Sequence, residues 1–244
     1  MQSPFAPASP SLALATNLNA VINQSQTLDS ALPAILNSDV AHHVVDPEDV
    51  LDLDPLNATP LALALPKLMA TERERWLLVL PGPGALGALR WPEPLNLAAI
   101  AAGQAVVAAA GGLALVPFRV GQAVQWRAFP AARPVSPATP YEAERALSEA
   151  VLAAGYTLQR LDVAAGPRPR QIAGPGLPPG YGAREQAAAT RALRLITACD
   201  EALRTDGRSI SSFEVMSRER ELRRVRATAA EALCAAVTWI NGAS

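Results

Sequence analysis

The chain has 244 residues, 21 of them basic and 22 acidic; half of it is hydrophobic, only 18% charged and 5% aromatic. A body of this length buries about 70–75% of its unfolded surface, so it folds without disulfides or a structural metal. The low charge, against a usual share of about 25%, excludes a strongly basic or acidic protein and leaves a surface poor in charges, which points to self-association.

Residues 1–66 hold seven acids (Asp29, Asp39, Asp46, Glu48, Asp49, Asp52, Asp54) and no Lys or Arg, so the remainder carries an excess of basic groups. An acidic segment of this kind either wraps a basic surface of its own chain or of a second copy, or covers a site for an anionic ligand. Cys199 and Cys234 are far apart, form no CxxC and read as buried thiols of a reducing compartment. The amino terminus has no basic n-region, so the expectation is a cytoplasmic protein. Pro94–Phe118 is the longest uncharged run, yet it is mostly alanine and is broken by Asn96, Gln104, Gly111-Gly112 and Pro117. It reads as a buried helix turning into a strand, with no membrane span.

In chain order, the first ten residues are proline-rich. Helices are expected around Ser11–Gln24, Leu28–Asn37 and Pro60–Ala70, with an acidic loop over Asp46–Asn57. Trp76–Leu80 is a buried strand closed by Pro81-Gly82. A helix from Leu95 to Ala110 follows, stopping at Gly111-Gly112. Leu113–Phe118 and Gln122–Phe129 then make a hairpin around Val120-Gly121, because the second run alternates and a glycine sits at the turn.

If the first two strands are parallel, the crossover between them is right-handed. Thr139-Pro140-Tyr141-Glu142 is a capping box with proline at the first helical position. It opens a helix whose apolar stripe runs Ala143, Leu147, Ala150, Val151, Ala154, Leu158, Leu161. Gly166–Gly182 breaks that helix as a linker or flap and contains a weak PxxP at Pro175–Pro178.

Ala183–Leu203, ended by Asp206-Gly207, and a second helix opened by Ser211 with Glu214 and ended by Asn241-Gly242 should form an antiparallel helical hairpin. The fold class expected is α+β, mainly helical, with a small three-stranded mixed or antiparallel sheet in the middle. Residues 1–70 are expected to form an acidic helical arm and 71–244 an α+β body with a helical C-terminal part, the alternative being one compact domain overall.

The chemistry-bearing residues are few. Gly82-Pro83-Gly84-Ala85-Leu86-Gly87 is a GxGxxG after a strand, but Pro92 and Pro94 delay the helix that would present its amides to a pyrophosphate. No acid follows at the ribose position either. It reads as a tight loop. With Arg90 and Trp91, Trp76 nearby and Arg119 on another strand, this loop is the candidate ligand-binding site, for an anionic or flat molecule: Gly82, Gly84, Gly87, Arg90, Trp91, Arg119.

His42-His43 lies among Asp39, Asp46, Glu48 and Asp49, but adjacent histidines seldom point to one centre, and no metal site is expected. There is no GxSxG elbow, and the only lysine, Lys67, stands outside any glycine loop. No catalytic residue and no cofactor is assigned. Arg218, Arg220, Arg223, Arg224 and Arg226 form a basic stretch interrupted by Glu219 and Glu221. Such a run is a solvated, ion-paired helix face unless it binds phosphates, and it lacks the aromatics that stack bases.

The stretch LLVLPGPGALGALRWPEPLNLAAIAAGQAVV with the following GGLALVP, residues 77–117, resembles functionally unassigned proteins of GC-rich actinobacteria. The resemblance implies no activity, cofactor or site residue. Three functions are therefore expected in descending order: a non-enzymatic interaction or accessory protein that self-associates through alanine-rich helix faces, a homodimer in the simplest case; a binder of a small anionic molecule, or an enzyme, with its pocket at the Gly82–Trp91 loop under the acidic arm; an arginine-mediated nucleic-acid binder.

Overall fold

The computed structural model describes residues 9–82, 84–160, 174–204 and 212–239. They fall into two compact units. The sheet unit holds residues 9–137, 176–182 and 237–239; the helical unit holds 138–160, 174–175, 183–204 and 212–236.

The sheet unit contains helices α1 (Pro10–Ile22), α2 (Leu28–Leu36), α3 (Leu61–Thr71) and α4 (Glu93–Ala102). Its strands are β1 (His42–Val45), β2 (Thr59–Pro60), β3 (Trp76–Val79), β4 (Ala105–Ala108), β5 (Ala114–Val120) and β6 (Ala123–Phe129). The α+β class stands, but the three-stranded sheet does not. One six-stranded sheet runs in the order β2-β1-β6-β5-β4-β3, with β1 parallel to β6 and the other pairs antiparallel.

The hairpin around Gly121 (φ +61°) is present as read, from Val120 opposite Ala123 to Ala114 opposite Phe129. The expected helix over Leu95–Ala110, which precedes the hairpin, is divided into a helix and a strand. α4 ends at Gly103, left-handed at φ +69°, rather than at Gly111-Gly112, and Ala105–Ala108 becomes β4. Val106 and Val107, β-branched and buried on both faces, favour the strand over alanine's helix propensity. β4 thus separates β3 from β5, and no direct crossover joins those two.

The sheet is covered on both faces. Leu77, Val79, Val107, Val116 and Phe129 pack with Leu89, Leu95 and Ala99 under α4. On the other face, where Trp76, Leu78, Val106 and Leu115 are buried, α1 packs against β3, β4 and β5. α1 is capped by Ser9, which accepts a hydrogen bond from the Leu12 amide, with Pro10 in its first turn.

Being buried nearly all round, α1 spends its polar side chains on neighbours. Asn19 accepts from the Trp76 amide at 2.6 Å and donates to the Trp76 carbonyl at 2.9 Å, doing for edge strand β3 what a further strand would do. Gln104 Oε1 accepts from the Ser9 hydroxyl and, at 3.2 Å, from the Ser11 amide. Glu72, buried beside the β3–β4 ribbon, accepts from the amides of Glu74, Arg75 and Ala110.

The helical unit consists of α5 (Pro140–Arg160), α6 (Ala183–Arg204) and α7 (Ser212–Thr238). The capping box at α5 is formed: Glu142 Oε2 accepts from the Thr139 amide and hydroxyl, while the Glu142 amide donates to Thr139 Oγ1. α6 and α7 pair antiparallel, since Asp200 meets Arg226 and the Ala202 carbonyl meets Arg218. Ala154, Cys199 and Val225 form a core with Val151 and Leu222. The helix-start and helix-stop signals read at Asp206-Gly207, Ser211 and Asn241-Gly242 lie outside the described residues, as do Leu161 and the first part of the Gly166–Gly182 stretch.

Candidate functional site

Five of the six residues read from the sequence as one site share a loop. Gly82 and Ala85 exchange both backbone hydrogen bonds, at 2.9 and 3.0 Å, so these two amides are turned to each other and not to a phosphate. Gly84 (φ +78°) and Gly87 (φ +60°) supply left-handed turns, and a Cβ on Gly87 would press on the Val79 side chain at 3.3 Å. The loop then lies beside the strap that leaves β6. The Ala132 amide donates to the Trp91 carbonyl and the Val135 amide to the Ala88 carbonyl, both at 2.9 Å.

These two bonds lay residues 88–91 antiparallel beside residues 132–135, the stretches that carry Arg90 and Arg133. The strap is held close: a Cβ on Gly111 would lie 2.7 Å from the Arg133 amide nitrogen, so only glycine fits there. Asn96 of α4 donates to the Arg90 carbonyl at 2.6 Å.

Trp91 is 67% exposed on this braced backbone, with Leu97, Val135 and Leu86 exposed on the same loop, strap and helix. Arg90 and Arg133 are also exposed and have no ion-pair partner among the described residues. The sixth, Arg119, and Trp76, expected to flank the loop, stand elsewhere. Trp76 is fully buried in the core. Arg119 alternates with Phe118, which belongs to the α4-side core, and so projects from the opposite face of β5, where Asp39 takes it in an ion pair. Arg133, which the sequence reading missed, lies on the strap that is hydrogen-bonded to residues 88–91.

Asp39 also holds His42. The imidazole is buried; its Nδ1 lies 3.4 Å from Trp126 Nε1 and its Nε2 lies 3.1 Å from Asp39 Oδ2. An indole N–H only donates, so Nδ1 is the acceptor and the proton sits on Nε2, donated to Asp39. Burial pushes the His42 pKa below its ordinary value and outweighs the pull of Asp39, with Arg119 and His43 adding to the depression. This is a neutral histidine with both nitrogens engaged. His43 sits opposite Pro60 and Gln125 in the sheet. Among the described residues no group of three His, Cys, Asp or Glu side chains is placed to hold a metal ion.

Asp46 organises the acidic loop between β1 and β2. Its fully buried carboxylate accepts from the amides of Val50 (2.9 Å), Leu51 (2.8 Å) and Leu53 (3.3 Å). Asp54 accepts from the Leu56 and Asn57 amides, and Asp52 is tied to Lys67 at 3.0 Å.

In the helical unit, a cleft of about 600 Å³ is lined by Val151, Ala187, Thr190, Arg191, Arg194 and Leu195. α7's basic stretch is largely engaged within its own unit: Arg218 donates to the Ala202 carbonyl, Arg223 pairs with Glu219, and Arg226 pairs with Asp200. Burial pushes the Cys199 thiol up to about 11, away from the thiolate that a nucleophile needs. α5 also exposes Tyr141, Leu152 and Tyr156, on the side away from its buried Ala143, Leu147, Ala150 and Ala154. Among the described residues no helix is long and apolar enough to cross a membrane; Pro94–Phe118 is divided among α4, β4 and β5.

No curated protein and no solved structure matches the chain. Two family models do: the Rv1486c-like protein N-terminal domain over residues 11–143 and the Rv1486c-like protein C-terminal domain over residues 141–234. Their junction falls at the start of α5, where the sheet unit gives way to the helical unit. The resemblance carried by residues 77–117 is therefore part of one that extends over most of the chain. The chain belongs to the Rv1486c-like protein family, with its N-terminal domain in the sheet unit and its C-terminal domain in the helical unit.

Proposed function

We propose that this is a cytoplasmic, non-enzymatic interaction protein that self-associates through the surface around Trp91. The observation that carries the reading is a tryptophan 67% exposed on a backbone pinned by the strap and by Asn96. An exposed Trp costs little on a floppy loop, which can fold over it; a fixed one stays in water until a partner covers it.

Trp and Arg are the residues that dominate binding energies at interface centres, and here Trp91 follows Arg90 in the chain, with Leu97 of α4 and Val135 of the strap also exposed. Because the loop is already ordered, association loses little conformational entropy.

Sedimentation velocity over a concentration series tests it. The wild-type chain is expected to form a discrete dimer, and Trp91→Glu to weaken it by about thirty-fold or more, the effect of losing a hot-spot side chain worth ~2 kcal/mol. A wild-type chain that stays monomeric throughout, or a Trp91→Glu dimer as tight as wild type, would refute the reading.

A further inference from the structure

We infer that the occupant of the Trp91 surface is the acidic β1–β2 loop, residues 47–56, of a second copy of this chain. The inference rests on the self-association proposed above and names the face that meets the Trp91 surface.

The two surfaces are complementary in chemistry. One carries Arg90, Trp91 and Leu97 on the loop and α4, and Arg133 and Val135 on the strap hydrogen-bonded to that loop, all exposed. The other presents Glu48, Asp49, Asp52 and Asp54, all exposed, interleaved with half-buried Val50 and Leu53 and ending in Leu56, 91% exposed. Acid alternates with apolar residue on the loop, as arginine alternates with apolar residue on the strap and its neighbour. Opposite charges steer the encounter, and the apolar groups then have somewhere to be buried.

Both faces are built in advance. The buried Asp46 carboxylate and Lys67 hold the loop, and Asp54 fixes its far end through the Leu56 and Asn57 amides. The strap and Asn96 hold the other face.

Topology allows each copy to give and receive. The acidic loop leaves β1 at Val45, which pairs with Arg127 of β6; two residues further on, at Phe129, β6 passes into the strap that carries Arg133. Loop and strap therefore start at the same end of the sheet, on neighbouring strands. A two-fold axis near that end makes the loop-to-patch contact twice, once in each direction, and closes the assembly at two copies.

Charge reversal tests the pairing. The patch variant carries Arg90→Glu and Arg133→Glu; the loop variant carries Glu48→Lys and Asp49→Lys. Each alone is expected to dissociate at least about ten-fold more readily than wild type, because like charges then face each other in both contacts. Mixed in equal amounts they are expected to regain a dimer, since the reversed patch meets the reversed loop and the native loop meets the native patch. Leu56→Asp, a change at a side chain already in water, is a third variant expected to weaken the dimer, and thermal melting of each variant establishes that it is folded.

Recovery on mixing supports the inference. A wild-type dimer that persists in both folded variants, or two monomeric variants that stay monomeric when mixed, overturns the inference while leaving self-association intact. A monomeric wild type overturns both.

Discussion

Replacing Asp46 with alanine is expected to lower the unfolding free energy by about 3 kcal/mol, the cost of leaving buried amides without a charged acceptor. Three amides, those of Val50, Leu51 and Leu53, converge on this one carboxylate, and it is wholly excluded from water. Alanine leaves a void that supplies no acceptor to any of them. Asparagine is expected to recover only part of the loss, because its NH2 would replace one carboxylate oxygen and face an N–H, donor against donor.

Urea denaturation checks both: a fall in midpoint with an unchanged slope is the expected outcome. A loss below about 1 kcal/mol for Asp46→Ala, the worth of a single ordinary hydrogen bond, would mean that the loop does not depend on this anchor. Since the same loop is proposed to dock on a second copy, the alanine variant is expected to self-associate more weakly as well.

Acidification is the second large effect. The folded state holds His42 neutral, its pKa below the ordinary value of 6.5 because the ring is buried. The unfolded chain therefore binds the more protons between those two values, and stability must fall as pH falls through that window. The stabilising contribution is complete above about pH 6.5 and is lost toward the lower folded pKa, with a slope of at most one proton, ~1.4 kcal/mol per pH unit.

Protonated Nδ1 would point an N–H at the Trp126 N–H, and the new cation would lie beside Arg119, which shares Asp39 with it. His42→Gln is expected to be less stable at neutral pH but to lack this part of the slope in a melting-temperature profile. An identical pH profile in wild type and variant would assign the acid sensitivity to other groups.

What the sequence made legible follows from the range of the interaction involved. The α5 cap was readable because Thr139 and Glu142 are three residues apart and satisfy each other. The β5–β6 hairpin was readable because Gly121 sits at its turn and the following strand alternates. β1 was not: His-His-Val-Val is too short to show a period, and its partner is β6, some eighty residues away. β4 was hidden by alanine, whose helix preference decides nothing once Val106 and Val107 are buried in a sheet.

At the candidate site, the glycine loop and Trp91 were visible as a tight turn with an aromatic neighbour. Arg133 was invisible because only the pairing of the strap with residues 88–91 brings it there. Arg119 was misplaced for a reason that strand parity contains: Phe118 takes the α4 side, so its neighbour faces the other way. The acidic segment was partly legible too. Asp39 and Glu48 reach Arg119 and Arg127 of their own chain, the latter loosely at 3.9 Å.

Amide hydrogen exchange of the wild-type chain, compared at two concentrations about a hundred-fold apart so that mass action shifts the assembly, bears most directly on the proposed interface. The account predicts that dense samples gain protection over residues 47–56, 88–97 and 131–135 together, and over no other surface. Protection appearing instead along the outward side of α5, around Leu152 and Tyr156, or no change anywhere, would contradict it.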